Sequence, residues 1–468
     1  MAARKTTFAL FFGNRGFFPA ALIAQARQDL PRLLQEWGYE SLILEESATR
    51  HGAVETRQEG ERYANFLRDE RGKFDGVILC LPNFGDEFGA VTALKEAGVP
   101  ILVQAYPDEL EKMGPALRRD AFCGKISVMD VFNQFGVKFT TFKPHVVDPH
   151  SETFRQNVDQ FARVCQTANG VHGMVVGAIG ARTTPFKTVR IDELALQQHD
   201  ITVETLDLSE VMNRVEAIPS RDKAYQVKAG LMKSYASWTD VPEAAFDKIV
   251  RLGVVLDMLV EEYKMDAVAI RCWTELQTQL GISPCVLMGE MNDRLVPAAC
   301  EVDTGNAVMM HALSLASGQP PACLDWNNNY AGEENKCILF HCGPVPRALM
   351  TAPGQISDHL ILKNSVGEGR GYGCNIGRIA PMDFTYGSLL TNAGQISLYL
   401  GEGRITSDPI PADFFGCAGV AEIDHLQDVL LHIGRRGYRH HVSLTRGKVQ
   451  AAVQEALGHY LGFQVEAV

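Results

Sequence analysis

The sequence predicts an α/β protein: two doubly wound parallel-sheet domains, over residues 1–165 and 166–320, followed by a mainly antiparallel, barrel-like β domain over 321–468. Three observations support this. Short uninterrupted apolar runs alternate with segments of helical periodicity over the first third, the pattern of buried parallel strands joined by crossover helices. The same alternation restarts near Gly170. Beyond about residue 320 the apolar runs follow one another without intervening helical segments and glycine becomes dense, as in an antiparallel barrel.

Phe8-Ala-Leu-Phe-Phe12 reads as the first strand, and Pro19 to Trp37 as a helix, since Ala, Leu and Ile recur at three and four. Ser41–Glu45, Gly76–Leu81 and Ile101–Gln104 read as further strands, with the charged segment Thr56–Lys73 as a solvated helix between them. In such sheets ligands lie beyond the carboxyl ends of the strands, where Asn14-Arg15 and the loop from Asn83 to Glu87 fall. The second domain reads as strands at Gly173–Ile179, Ile201–Thr205 and Asp266–Arg271, a long helix from about Asp240 to Tyr263, and a helix over Pro297–Ser317. Cys337–His341, His359–Leu362 and Ile396–Leu400 read as strands of the third domain, which ends in helix-like segments near 421–433 and 446–458.

Composition narrows the function. Against 44 basic residues stand 56 acidic ones, a net charge of −12, so the chain lacks the basic face that a general nucleic-acid or anionic-membrane binder needs. No uncharged apolar stretch reaches the length of a membrane span, and the run after Arg4 and Lys5 breaks at Asn14-Arg15, too early for a secretory signal. Eleven scattered cysteines with no CxxC pair read as free thiols in a reducing compartment, hence a cytoplasmic protein.

Two glycine-rich stretches carry no nucleotide signature. Gly367 to Gly373 alternates glycine, but no helical pattern follows to receive a phosphate, so a hairpin turn is expected; Gly177-Ala-Ile-Gly180 lacks the dinucleotide-binding spacing. Dispersed acids and histidines are more informative. Glu301 and Asp303 precede the apolar run through Met309-Met310, Asp325 follows Glu301 by 24 residues, His341 ends a strand, and His440-His441 lie near the C-terminus. Carboxylates with an occasional imidazole suit a hard divalent cation such as Mn²⁺ or Mg²⁺. The same residues also have structural readings: an acid near a helix start for Glu301, a turn or cap for Asp325, a satisfied core histidine for His341.

Several segments, in order along nearly the whole chain, resemble the L-fucose isomerase / L-arabinose isomerase superfamily, on its L-fucose isomerase-like branch. They are Asn14-Arg15-Gly16, Phe122-Cys-Gly-Lys-Ile-Ser127, Ala269-Ile-Arg-Cys-Trp-Thr-Glu275, Pro297-Ala-Ala-Cys-Glu301, Cys323-Leu-Asp325 and His440-His-Val442. The resemblance implies a divalent-metal-dependent aldose–ketose isomerase that works on an open-chain sugar through a metal-bound cis-enediolate. It implies Glu301 and Asp325 as catalytic residues, and Glu301, Asp325 and His441 as ligands of Mn²⁺ (or Mg²⁺ or Co²⁺), with His440 as the alternative imidazole. His341 falls where arabinose isomerases have a further ligand and is taken as a secondary ligand or substrate contact. Arg15, Asn83, Lys125, Trp273 and Glu275 are the remaining substrate-binding candidates. A homo-oligomer, trimer or hexamer with sites near subunit interfaces, is also implied. The chain is shorter than typical fucose isomerases, so the sugar itself does not follow. A lyase using the same enediolate chemistry, or a non-catalytic sugar-binding protein, are the alternatives.

Overall fold

A computed structural model describes residues 5–468; Arg4, with the rest of the first four residues, lies outside the described residues. The chain divides into two compact units, Met1–Asn169 and Gly170–Val468.

The first unit is a parallel sheet of β1 (Thr7–Phe12), β2 (Glu40–Ile43), β3 (Gly76–Leu81) and β4 (Ile101–Ala105) in the order β2-β1-β3-β4. Side chains of a strand alternate between faces. Phe8, Leu10 and Phe12 therefore enter one core with Ile23, Leu30 and Phe161, while Ala9 and Phe11 enter another with Tyr63, Leu79 and Phe132. With both faces covered, β1, β3 and β4 are buried throughout, which is why they read as uninterrupted apolar runs. The strand order reverses between β1 and β3, and the loops carrying Arg15 and Asn83 leave those two strands.

The second unit begins with a like sheet, β5 (Val175–Ile179), β6 (Thr202–Leu206), β7 (Ala267–Ile270) and β8 (Ala298–Cys300), all parallel in the order β6-β5-β7-β8. The helix expected over Pro297–Ser317 is in fact two elements. Ala298–Cys300 pairs with β7, and the helix is Thr304–Ser317, begun by Asp303, whose carboxylate accepts the Asn306 N–H. A three-residue apolar run does not distinguish strand from helix, and the open edge of β7 decides. That helix is buried nearly all round and packs on both β7 and the strands that follow.

Nine strands complete the unit: β9 (Pro321–Asn329), β10 (Lys336–His341), β11 (Gln355–Ser357), β12 (Cys374–Arg378), β13 (Met382–Asn392), β14 (Gln395–Ile405), β15 (Cys417–Glu422), β16 (His441–Arg446) and β17 (Gln464–Ala467). Their order is β11-β12-β15-β10-β9-β16-β13-β14-β17, and a further pairing of β14 with β15 closes the six central strands into a barrel. Only β12 with β15 and β14 with β17 pair in parallel. His359–Leu362, expected as a strand, is a turn: Leu360 and Ile361 are exposed and have no face to bury against. The expected helix near 421–433 is Leu426–Arg436 after β15, and the one near 446–458 is Gln450–Gln454, widening into a π-type turn to Tyr460. The glycine run wraps the carboxylate of Asp358, which accepts the N–H groups of Gly369 and Gly371 at 2.7 Å each. The chain's own anion thus fills the cradle, in the connection of the antiparallel β11–β12 hairpin, which is a long loop where a turn was expected.

Candidate active site

Five elements of the second unit bring the site residues together. Trp273 follows β7, Glu301 follows β8, Asp325 lies in β9 and His341 ends β10. His441 opens β16, and the antiparallel register sets it directly opposite Asp325. Two residues far apart in sequence thereby share one face at one level of the barrel.

Glu301 is buried, and each carboxylate oxygen has its own neighbour. Trp273 Nε1 donates to Oε1 at 2.8 Å; His441 Nε2 lies 2.8 Å from Oε2, in charge contact but out of hydrogen-bond alignment. The other nitrogen of His441, Nδ1, donates to Asp303 Oδ2 at 2.8 Å, which leaves the Nε2 lone pair facing the pocket when the ring is neutral. Asp303 is fully buried, pairs with the Arg439 guanidinium, and accepts from the Asn306 side chain at 2.7 Å. Asp325 Oδ1 is 3.5 Å from His441 Nε2 and 3.6 Å from Nε2 of the more exposed His440. Phe186 packs edge-on against both Trp273 and His440.

Charge follows this geometry. Burial alone raises the Glu301 pKa, but the contacts with His441 and His341 outweigh it and hold the group below the ordinary glutamate value. Burial likewise opposes ionisation of Asp303, and the Arg439 and His441 charges overcome it, leaving the carboxyl well below its usual range. Burial disfavours the charged form of His441, yet Asp303 and Glu301 raise its pKa to about 10; His341, pulled the same way by Cys342 and Asp325, rises to about 9.

Among the buried polar atoms here without a hydrogen-bond partner are Asp325 Oδ1, His341 Nε2 and His441 Nε2. Those three residues form one group whose ligating atoms lie within 4.8 Å of one another, and Glu301, His440 and His441 form another. Orphaned donors and acceptors are rare in a folded interior, and two mixed carboxylate–imidazole groups that share His441 fit a divalent cation.

Four further predicted residues make other contacts. Glu275 turns away into an ion pair with Arg271 at 2.5 Å. Arg15, Asn83 and Lys125 belong to the first unit. There the Arg15 backbone N–H donates to Asn83 Oδ1 at 3.3 Å, Arg15 Nε donates to the Gly85 carbonyl at 2.8 Å, and its guanidinium pairs with Glu87. Asn83 donates to Asn14 Oδ1 at 2.5 Å. Lys125 is buried, its ammonium donating to the His145 carbonyl at 2.8 Å, and burial lowers its pKa to about 8. Sequence reasoning passed over Arg439 and Phe186. A lone arginine before a histidine pair and a lone aromatic in a loop carry no signal until the fold puts them beside the carboxylates. Asp303 was visible as an acid before a helix, but not as the partner of His441.

Comparison with known proteins agrees with this architecture. Residues 9–172 match the family model described as fucose/sulfoquinovose isomerase, N-terminal domain, and residues 339–468 match L-fucose isomerase, C-terminal domain. Among curated proteins, a sulfoquinovose isomerase of Alkalicoccus urumqiensis is 23% identical over 283 residues, which are 59% of this chain and 61% of that protein. One of Clostridium sp. (strain MSTE9) is 25% identical over 48% of this chain and 50% of its own length. One of Priestia aryabhattai is 20% identical over 410 residues, 87% of this chain and 88% of that protein. The first two matches thus span less than two thirds of those relatives. With both models matched in chain order, and with two parallel sheets leading into a largely antiparallel barrel, the chain belongs to the L-fucose isomerase-like family.

Proposed function

We propose that the chain is a divalent-metal-dependent aldose–ketose isomerase of the cytoplasm, acting on an open-chain sugar. The observation that carries this reading is the grouping of Asp325, His341 and His441 by three unpartnered buried polar atoms, with Glu301 2.8 Å from the His441 ring. Glu301, Asp325 and His441 would hold the cation, with His341 as a further donor; Mn²⁺ is the first candidate. A divalent cation bound there supplies Lewis-acid stabilisation of negative charge on the sugar oxygens. The residues do the rest. Glu301, kept ionised by the neighbouring imidazoles, and Asp325 carry the proton between C1 and C2: the ionised carboxylate takes it from one carbon, and a carboxyl that holds a proton gives it to the other. The Trp273 N–H fixes one Glu301 oxygen and leaves the other to work. Asp303 and Arg439 hold the His441 ring in place.

The relatives' name makes sulfoquinovose the first substrate to test, and the L-fucose class the second. Arg15 is proposed to meet the sugar's distal hydroxyls or charged tail in a neighbouring subunit of a homo-oligomer. The test is metal-stripped protein, resupplied with Mn²⁺ and incubated with each aldose, with products resolved by mass and NMR. A metal-dependent ketose of equal mass is expected. Two smaller fragments would replace the reading with a lyase, and sugar binding without turnover by metal-loaded protein would make the chain a binding protein.

A further inference from the structure

His341 presents a second chemistry on its other edge. Cys300 closes β8 and Cys342 follows β10, and their sulfurs form with a His341 ring nitrogen a group whose members all lie within 4.8 Å of one another. His341 Nδ1 is 3.3 Å from Cys342 Sγ. Cys342 Sγ is 3.5 Å from Cys285 Sγ, which is itself 3.9 Å from Cys374 Sγ. All four cysteines are buried and unoxidised. They come from β8, the end of β10, the helix Cys285–Asp293 and β12, so nothing in their sequence spacing reveals the cluster. A single buried thiol behaves as a small hydrophobe. Two at ligand spacing with an imidazole nitrogen, as Cys300 and Cys342 are with His341, suit a borderline or soft cation.

We propose that Cys300, Cys342 and His341 form a second metal site, selective for a thiophilic cation of the Zn²⁺ or Cd²⁺ class and sharing His341 with the carboxylate site. The two sites divide cations by hardness: oxygen-rich donors on one side of the imidazole, sulfur on the other. Loading releases the thiol protons to solvent and, when the carboxylate site is also filled, the His341 ring proton, because only thiolates and an unprotonated ring nitrogen coordinate. It also exchanges the present hydrogen bond from the Cys342 N–H to His341 Nδ1, 2.9 Å long, for a coordinate bond. The inference stands on the sulfur geometry and holds whether or not the chain is an isomerase.

The test is optical. Full-length Cys123→Ser protein, which lacks the one exposed thiol, is kept in excess Mn²⁺ and titrated with Cd²⁺. A thiolate-to-cadmium charge-transfer band in the ultraviolet is expected to saturate near one equivalent. It should persist when Glu301→Gln is added, and lose affinity at least about tenfold in Cys342→Ser. Should Cys342→Ser not fold, X-ray absorption of the zinc-loaded Cys123→Ser protein decides by its sulfur shell. No band from folded protein, a band that survives Cys342→Ser, or a shell of oxygen and nitrogen alone would each overturn the proposal.

Discussion

Glu301 and Val302 hold consecutive φ angles of 63° and 59° at the end of β8. For a β-branched residue that region is costly, about 1–3 kcal/mol, and such outliers collect at functional sites. The turn they make is the one whose carboxylate bonds Trp273 and faces His441. Glu301→Gln and Asp325→Asn are both nearly isosteric. We expect each to stay folded by circular dichroism and to lose roughly 10²–10⁴-fold in turnover, the range of general acid–base catalysis; turnover like the wild type in either variant would remove that carboxylate from the mechanism. Lys125 makes a separate prediction. Its folded pKa of about 8 lies below the ordinary lysine value, so between pH 8 and about 10.5 the unfolded chain binds more protons than the native one. Stability therefore rises with pH across that window, by on the order of 3 kcal/mol. Urea unfolding of Lys125→Met should lack this rise. At this scale the sequence went furthest through ordered resemblance: Glu301, Asp325, His341 and His441 do meet in space. Glu275, predicted as a substrate contact, is paired with the arginine four residues before it.

Among the elements, the helix Thr304–Ser317 matters most to the site, because Asp303 caps it and also holds His441. Gly305, in its first turn, has no room to spare: a methyl there would lie 2.8 Å from both the Leu389 carbonyl oxygen and the Arg439 guanidinium. Arginine can shift, but the β13 carbonyl cannot. Gly305→Ala is expected to lower stability by about 1–3 kcal/mol and to weaken Mn²⁺ binding as Asp303 moves, measured by thermal unfolding and calorimetric titration. Strands buried on both faces were legible as apolar runs, since burial itself makes the pattern. β8 was not, because Ala298-Ala-Cys300 suits a helix as well as a strand and only its pairing with β7 settles the matter.

For the whole molecule, the division at Asn169/Gly170 separates two sets of cores: two line the faces of the first sheet, and the remaining ones lie within the second unit. Fragments 1–169 and 170–468 should each fold alone, and the larger should still take up a divalent cation. A cut at 320 should yield insoluble pieces, because it strips the barrel of the helix that packs on it. Far-ultraviolet dichroism and metal titration of the purified fragments check both statements. The sequence conveyed the succession of parallel and antiparallel regions through the presence and then the loss of crossover helices. The barrel-like character was expected from the run of strands without helices, but which strands close it was not legible, since closure rests on two ladder pairs, Arg404 with Glu422 and Ile405 with Ala421, that leave no periodic trace.

The hydrogen bond from Trp273 to Glu301 makes the protein its own indicator. Of four tryptophans in the chain, this indole alone among the described residues donates to a carboxylate of the cluster. Its excited state senses charge on that oxygen, so neutralising the carboxylate by a bound cation should shift and change the intensity of the emission. Stopped-flow fluorescence can then time cation arrival with no added dye, and Trp273→Phe should leave a folded protein that is optically silent to the same titration.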